Sequence, residues 1–426
     1  MNIYKFGGAS VRDAEGIRNL VHIVEQADSD LVIVVSAMGK TTNALERVAD
    51  FGYRKDTELA LRQLDDIRDY HFSIIRQLFP KGHVFLEHKI EAILQQIADW
   101  LRTEQKPQDY DEYYDQIVSC GELISTRIIS YMLDRTGILN AYIDMTRVLE
   151  TDATFRDAKV DMEASEKRLK AFMSHRKERV YVAQGFIGAT KIDSAKDYRR
   201  TTLGREGSDY TAAILANLLQ AQSVTIWKDV PGILNADPRL VQDTVLIPKL
   251  SYYEAVELAY SGAQVIHPKT IRPLENKKIP LYVKPFKDPS SAGSVICDTQ
   301  ERIENVPVLI WRQHQVLITI RPKDFSFVLE DSLNHLFEVI YRHNLKVSLI
   351  QSSAVTVSIC VNDSRHLEAM IEELQLDYSV TFNKGLSLLT IRGTTPEVIR
   401  QHTADRQILL SQTTRRTARY VIKETE

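Results

Sequence analysis

Lys5 stands at the end of a short apolar strand, Met1-Asn2-Ile3-Tyr4-Lys5-Phe6, that runs into Gly7-Gly8-Ala9-Ser10. Adjacent glycines after a strand let the backbone turn sharply and bring its N–H groups close to a ligand. An ammonium just before them is a compact charge able to follow a moving phosphate. Asp13 fits the N-cap of a helix running to about Ala27, whose positive end would face the same spot. Strand, lysine, glycine turn and helix start together describe a phosphate site. The arrangement is not Walker A, in which the lysine follows the glycines and precedes Ser or Thr. Strand–turn–helix units also carry glycine pairs for backbone reasons alone, so this segment by itself leaves both readings open. No leader is expected ahead of it.

Other segments pose the same choice. Thr201-Thr202-Leu203-Gly204-Arg205-Glu206-Gly207-Ser208-Asp209 is a second glycine-punctuated loop entering a helix. Arg205 either grips a carboxylate with its planar fork or is a surface charge beside a helix capped by Ser208 or Asp209. Ser36-Ala37-Met38-Gly39-Lys40-Thr41-Thr42-Asn43 brings hydroxyls to the end of an apolar run, where open α/β sheets bind ligands. Glu122, after Gly121 in a helical stretch, is a solvated or capping residue unless the fold turns it toward an ammonium. Trp227 to Arg239 reads as a strand end, a Pro-Gly turn and a charged loop. His267 precedes Pro268 at a first helical position and has no second His or Cys at ligand spacing. It reads as a packed, hydrogen-bonded histidine, and no metal-ligating set is expected.

These residues need strands and helices to converge. Leu31–Ala37 is a continuous apolar run of the kind buried on both faces of a parallel sheet. Helical periodicity covers Asp56 to about Leu101, broken at Pro80-Lys81-Gly82, and then Ile117–Leu133, ending at Gly137. Strands are expected at Ile138–Ile143, Val180–Gln184, Ser223–Trp227 and Pro280–Val283, with a helix from about Ser208 to Ala221. The alternation predicts an α/β domain with a mostly parallel, covered sheet over residues 1–287. The turn-rich Asp288–Ser294 opens a linker, 288–304. Beyond it, Val316–Ile320, Phe327–His343, Val347–Ser352, Ala354–Val361, Arg365–Leu374 and Leu386–Arg392 read as a βαββαβ sequence, a small ferredoxin-like α+β module. The tail offers a short helix and two strands, too little for a second complete module. The 426 residues allow two or three domains, and the net charge of −3 favours neither nucleic acid nor a membrane surface. Cys120, Cys297 and Cys360 lie far apart, as buried thiols of a reducing compartment do. With no apolar run near membrane-span length and no signal peptide, the cytosol is the expected location.

In combination and in order, KFGGAS, VVSAMGKTTN, SCGELIS, TTLGREGSD, WKDVPGILNADPR and SYYEAVELAYSGAQVIHPKTI resemble the aspartokinases of the amino-acid-kinase fold. The resemblance spans Met1 to about Val283, and HNLKVSLIQSSAVTVSI resembles the ACT modules that bind regulatory amino acids in that family. It implies transfer of phosphate from ATP, with Mg²⁺, to the side chain of L-aspartate. The product would be 4-phospho-L-aspartate, on the route to lysine, threonine, methionine and diaminopimelate. Lys5 would match the catalytic lysine and Asp209 the acidic residue that organises it. Gly7, Gly8 and Ser10 would cradle phosphates, and Ser36 and Thr42 would lie near the reacting carboxylate. Glu122 would take the substrate ammonium and Arg205 its α-carboxylate. Lys228, Asp229, Leu234, Asp237, Arg239 and Gln264 would fall where the family binds ATP.

The chain departs from the family pattern at several of these positions. Ala9 stands for threonine, Glu206 for glycine or asparagine, Lys228 for threonine, Leu234 for tyrosine and Gln264 for lysine. In the regulatory region, Ser348 and Ala354 replace carboxylates that lysine-sensing members carry, so lysine inhibition is expected to be weak or absent and any effector is of unknown identity. A homodimer is expected, because such modules expose sheet edges that pair across subunits. Two other readings share the fold: a catalytically weak amino-acid sensor, and a kinase for another small amino acid or carboxylate. The retained Lys5, Glu122, Arg205 and Asp209 argue against both.

Overall fold

Apolar runs without a polar face must be covered on both sides, and the chain alternates such runs with amphipathic helices. The computed structural model describes all residues except 104–106, 108, 192–197, 264–265, 302–305, 325–329 and 424–426. In chain order, the elements up to the first sheet crossover are β1 (Asn2–Phe6), α1 (Ala14–Glu25), β2 (Leu31–Val35), α2 (Thr41–Tyr53), α3 (Thr57–Leu78), α4 (Val84–Arg102), α5 (Tyr110–Val118), α6 (Cys120–Arg135) and β3 (Asn140–Ile143). There follow α7 (Met145–Val148), α8 (Met162–Met173), β4 (Val180–Gln184), β5 (Ile187–Lys191), β6 (Tyr198–Thr202), α9 (Gly207–Leu219), β7 (Val224–Lys228), β8 (Lys249–Ser251), α10 (Tyr252–Ser261), α11 (Pro268–Glu275), β9 (Leu281–Pro285) and β10 (Ser294–Cys297).

Among the described residues, eight strands form one sheet in the order β3-β4-β2-β1-β7-β9-β10-β8. Every neighbouring pair is parallel except β9 with β10. Every residue of β2 and of β4 is buried, as a strand covered on both faces requires. Burying a Val, Leu or Ile side chain is worth ~1.5–3 kcal/mol, so this sheet, rather than any polar contact, makes the scaffold rigid. Asp13 caps α1 as expected, its carboxylate accepting the Gly16 N–H at 2.8 Å.

Three expectations change. The helical stretch set at Ile117–Leu133 is two helices, α5 starting seven residues earlier and α6 resuming after Ser119. The hairpin of β5 and β6, rich in Thr, Gly and Arg, had no apolar run to announce it. The boundary at residue 287 also moves, because Asp288–Gly293 is the connection between β9 and its antiparallel partner β10. By contacts the first compact unit is Met1–Ile233, Leu246–Val256 and Ile266–Glu301.

The second unit is Leu234–Val245, Glu257–Val265 and Arg302–Glu426. It contains β11 (Val308–Pro322), α12 (Glu330–Arg342), β12 (Val347–Ser352), β13 (Val357–Asn362), α13 (Leu367–Asp377), β14 (Tyr378–Arg392), α14 (Pro396–Thr403), β15 (Ile408–Thr413) and β16 (Thr417–Lys423). Among the described residues its six strands make an antiparallel sheet ordered β12-β13-β11-β14-β16-β15. The first four strands in that order, with α12 and α13, are the expected ferredoxin-like module. The first three residues of the helix expected from Phe327 lie outside the described residues. Residues 354–356 turn the β12–β13 hairpin, where a strand from Ala354 was expected, and the Ser353 N–H reaches the Thr356 carbonyl at 2.8 Å. The tail adds β16 and β15 to the same sheet, with α14 between β14 and β15 in the chain. Among the described residues no helix is long and apolar enough to cross a membrane.

Candidate active site

β2, β1 and β7 are parallel neighbours, so the segments following them emerge at one edge of the sheet. That edge collects Gly7–Ser10, Ser36–Thr42 and Lys228. Lys5, one residue from the end of β1, is 8% exposed. Its Nζ lies 2.5 Å from Oδ1 of Asp209, in the first turn of α9. Withdrawing two charges from water costs several kcal/mol per ion, which their attraction only roughly repays. The pair therefore adds little to stability and serves to hold the ammonium in place.

Glu122 reaches the same spot from α6. Gly121 makes this possible, since a Cβ there would come within 2.8 Å of Ala37 Cβ. The close approach lets Glu122 Oε1 accept the Ala37 N–H at 3.1 Å. Its Oε2 is buried with no hydrogen-bond partner among the described residues. Burial pushes this carboxyl up to about 8, against the opposing pull of the Ala37 N–H and the Lys5 ammonium. A buried carboxyl with one oxygen unmatched gains most as a carboxylate when a charged donor arrives, and an ammonium is such a donor.

Lys5, Ser36, Thr42, Glu122, Arg205, Asp209 and Lys228 all line one cavity of about 540 Å³. Arg205 is exposed on the loop before α9. The capping expected of Ser208 or Asp209 is not found: both lie inside α9, and the residue ahead of it is Glu206, with φ 53°. Asp209 is turned to Lys5 instead. The left-handed backbone explains why glycine or asparagine suits position 206. Glu206 accepts the His267 N–H at 2.9 Å, and the His267 ring in turn accepts the Lys269 N–H at 3.2 Å, as a helix cap. Among the described residues no group of His, Cys, Asp or Glu could hold a metal ion.

Gly7, Gly8 and Ser10 do not line the cavity but form the turn behind Lys5. Ser10 N–H closes that turn on the Gly7 carbonyl at 3.0 Å. Asp229 is exposed, next to Lys228. Leu234, Asp237 and Arg239 belong to the segment Leu234–Val245 of the second unit, where Asp237 and Arg239 pair with one another at 2.7 Å. Gln264 lies outside the described residues. The cavity also takes in residues that the sequence reading missed, among them Glu46, Tyr114, Arg156, Phe186 and Thr202. Tyr114 donates to Glu46 at 2.6 Å, and the Arg156 guanidinium stacks 4.3 Å from its ring centroid. The acidic, tyrosine-rich run just ahead of Gly121-Glu122 was the available signal for Tyr114. Arg156 had none.

Residues 1–285 match the Amino acid kinase family. The chain is 32% identical over 404 residues to lysine-sensitive aspartokinase 3 of Escherichia coli (strain K12), covering 92% of this chain and 86% of that one. It superposes on the crystal structure of E. coli aspartokinase III in complex with lysine and aspartate (T-state) with a TM-score of 0.80, at 29% identity over 99% of this chain and 96% of that one. For the same enzyme with aspartate and ADP (R-state), the TM-score is 0.78 at 28% identity, with the same coverage.

Proposed function

Since this chain belongs to the aspartokinases of the amino acid kinase family, we propose that its Lys5 cavity transfers the γ-phosphoryl group of ATP to the side-chain carboxylate of L-aspartate. The product is 4-phospho-L-aspartate, the entry to the aspartate-derived amino acids lysine, threonine and methionine. The observation that carries the reading is the set of charges facing one cavity: the buried Lys5–Asp209 pair, the half-satisfied Glu122 and the exposed Arg205. They suit an acceptor with one ammonium and two carboxylates.

The acceptor carboxylate is already ionised at neutral pH, so attack on the γ-phosphorus needs no general base. The bond from phosphorus to the β,γ-bridging oxygen breaks as the new P–O bond forms, and ADP leaves with the electron pair. What the protein supplies is position and charge. Glu122 takes the ammonium, Arg205 the α-carboxylate, and Ser36 and Thr42 steer the reacting carboxylate. Lys5 follows the phosphoryl group, and Asp209 keeps its ammonium aimed. Gly7, Gly8, Ser10 and Lys228 serve the phosphates. Mg²⁺ would arrive with the nucleotide, where it would neutralise phosphate charge. We place the protein in the cytosol as a homodimer. Supporting the dimer are β12 at a sheet edge and Tyr341, 84% exposed on α12.

The test is ATP- and Mg²⁺-dependent acyl phosphate formation from L-aspartate, trapped as the hydroxamate. Lys5→Ala is expected to lower kcat by about 10³-fold, the scale of one lost transition-state charge contact, with the KM for aspartate nearly unchanged. Folded wild-type protein that binds ATP yet forms no hydroxamate would favour the sensor reading.

A further inference from the structure

Asp115, on α5, has no exposed surface. Its Oδ2 accepts the backbone N–H of Thr202 at 2.8 Å and of Arg156 at 3.0 Å, and its Oδ1 accepts the Thr202 hydroxyl at 2.7 Å. These donors come from two separate segments that both line the cavity. Thr202 ends β6, three residues before Arg205. Arg156 lies in the turn ahead of α8 with φ 65°, a conformation that a long L side chain rarely adopts. The two segments also pack on each other: a Cβ on Gly204 would meet Asp157 Oδ1 at 2.7 Å and the Arg156 carbonyl at 3.1 Å.

We propose that Asp115 is a positioning residue for the acceptor amino acid. By holding both segments from α5, it sets the spacing between the Arg156–Tyr114 wall and the Arg205 loop, and so the place of the substrate's α-carboxylate. The inference rests on Arg205 gripping that carboxylate. Neither Asp115 nor its bonds touch Lys5 or the turn behind it, so the phosphoryl-transfer machinery is untouched by its loss. Burial pushes the Asp115 carboxyl up to about 6 despite its hydrogen bonds.

The experiment compares Asp115→Ala and Asp115→Asn in the full chain, with steady-state kinetics in both substrates and a thermal melt. Asparagine keeps one oxygen for the two backbone N–H groups and offers its NH₂ to the Thr202 hydroxyl, which can accept. Asp115→Ala is expected to raise the KM for aspartate about ten-fold or more, with kcat and the KM for ATP within about two-fold. Asp115→Asn should restore the aspartate KM to within about three-fold of wild type. An unchanged aspartate KM in folded Asp115→Ala, or equal losses in kcat and both KM values, overturns the proposal. Should the alanine variant fail to fold, Thr202→Val removes one bond alone, and an unchanged aspartate KM there is equally decisive against it. Wild-type protein that does not phosphorylate aspartate would instead sink the underlying reading.

Discussion

Glu122 turns its burial into a measurable proton. With its carboxyl pushed up to about 8, the empty site holds it largely protonated at neutral pH. An arriving ammonium favours the carboxylate, so binding must expel that proton. Calorimetry at pH 7 in buffers of different protonation heat should find close to one proton released per aspartate bound. Glu122→Gln should release none and bind aspartate more weakly, and equal proton counts in the two proteins would contradict the assignment. The sign for stability follows from the same shift. Because the folded value lies above the ordinary 4.5, ionisation is penalised in the fold, with no cost below about pH 4.5 and full cost from about pH 8. The unliganded glutamine variant should thus melt higher than wild type at pH 8 and alike at pH 4.5. Lys5, Glu122, Arg205 and Asp209 were legible in the sequence because each sits in a short motif beside a glycine or a strand end. Asp115 and Arg156 were not, since their meaning lies in bonds spanning 87 and 41 positions of chain.

The turn after β1 and the turn after β2 are locked together. Gly39 N–H donates to the Gly8 carbonyl at 2.9 Å, and a Cβ on Gly8 would lie 2.5 Å from the Ala37 carbonyl oxygen. That obstacle is backbone and cannot swing aside. Gly8→Ala should therefore cost about 1–3 kcal/mol and displace the phosphate turn. The expected signature is a lowered Tm with kcat/KM for ATP down at least about ten-fold, and a variant matching wild type in both would refute it. Apolar runs such as β2 and β4 were readable because covered strands have no polar face to disguise them. β11 was read as five residues, Val316–Ile320, but spans Val308–Pro322. Its polar middle, Arg312–Gln315, is a β-bulge with His314 at φ 55°. Alternation fails at a bulge, so the sequence pattern broke where the strand did not.

The second unit carries the residues on which the lysine expectation turns. Ser348, where lysine-sensing relatives were expected to carry a carboxylate, has a hydroxyl that accepts from Arg312 at 3.0 Å. It lines a cavity of about 940 Å³ together with Lys346, Arg419, Phe337 and Tyr341. Glu338 also lines that cavity, but beside Lys346 and Arg419, and position 348 offers a lysine ammonium a hydroxyl already engaged by Arg312 in place of a carboxylate. Inhibition by lysine should be absent below about millimolar concentration, and a dose–response curve with a clear sub-millimolar midpoint would overturn this. The two-unit division was visible in outline from the change in rhythm after residue 287, but the short excursions from the first unit were not. Leu234–Val245 and Glu257–Val265 hold too few apolar residues to announce a separate allegiance. Their membership has a consequence for the newborn chain. Ala236 and Val241 pack with Leu309, Leu389 and Ile391, so they leave the ribosome well before their partners exist. During synthesis these apolar patches must wait, uncovered, until the last strands arrive, which makes that interval a natural point for chaperone capture.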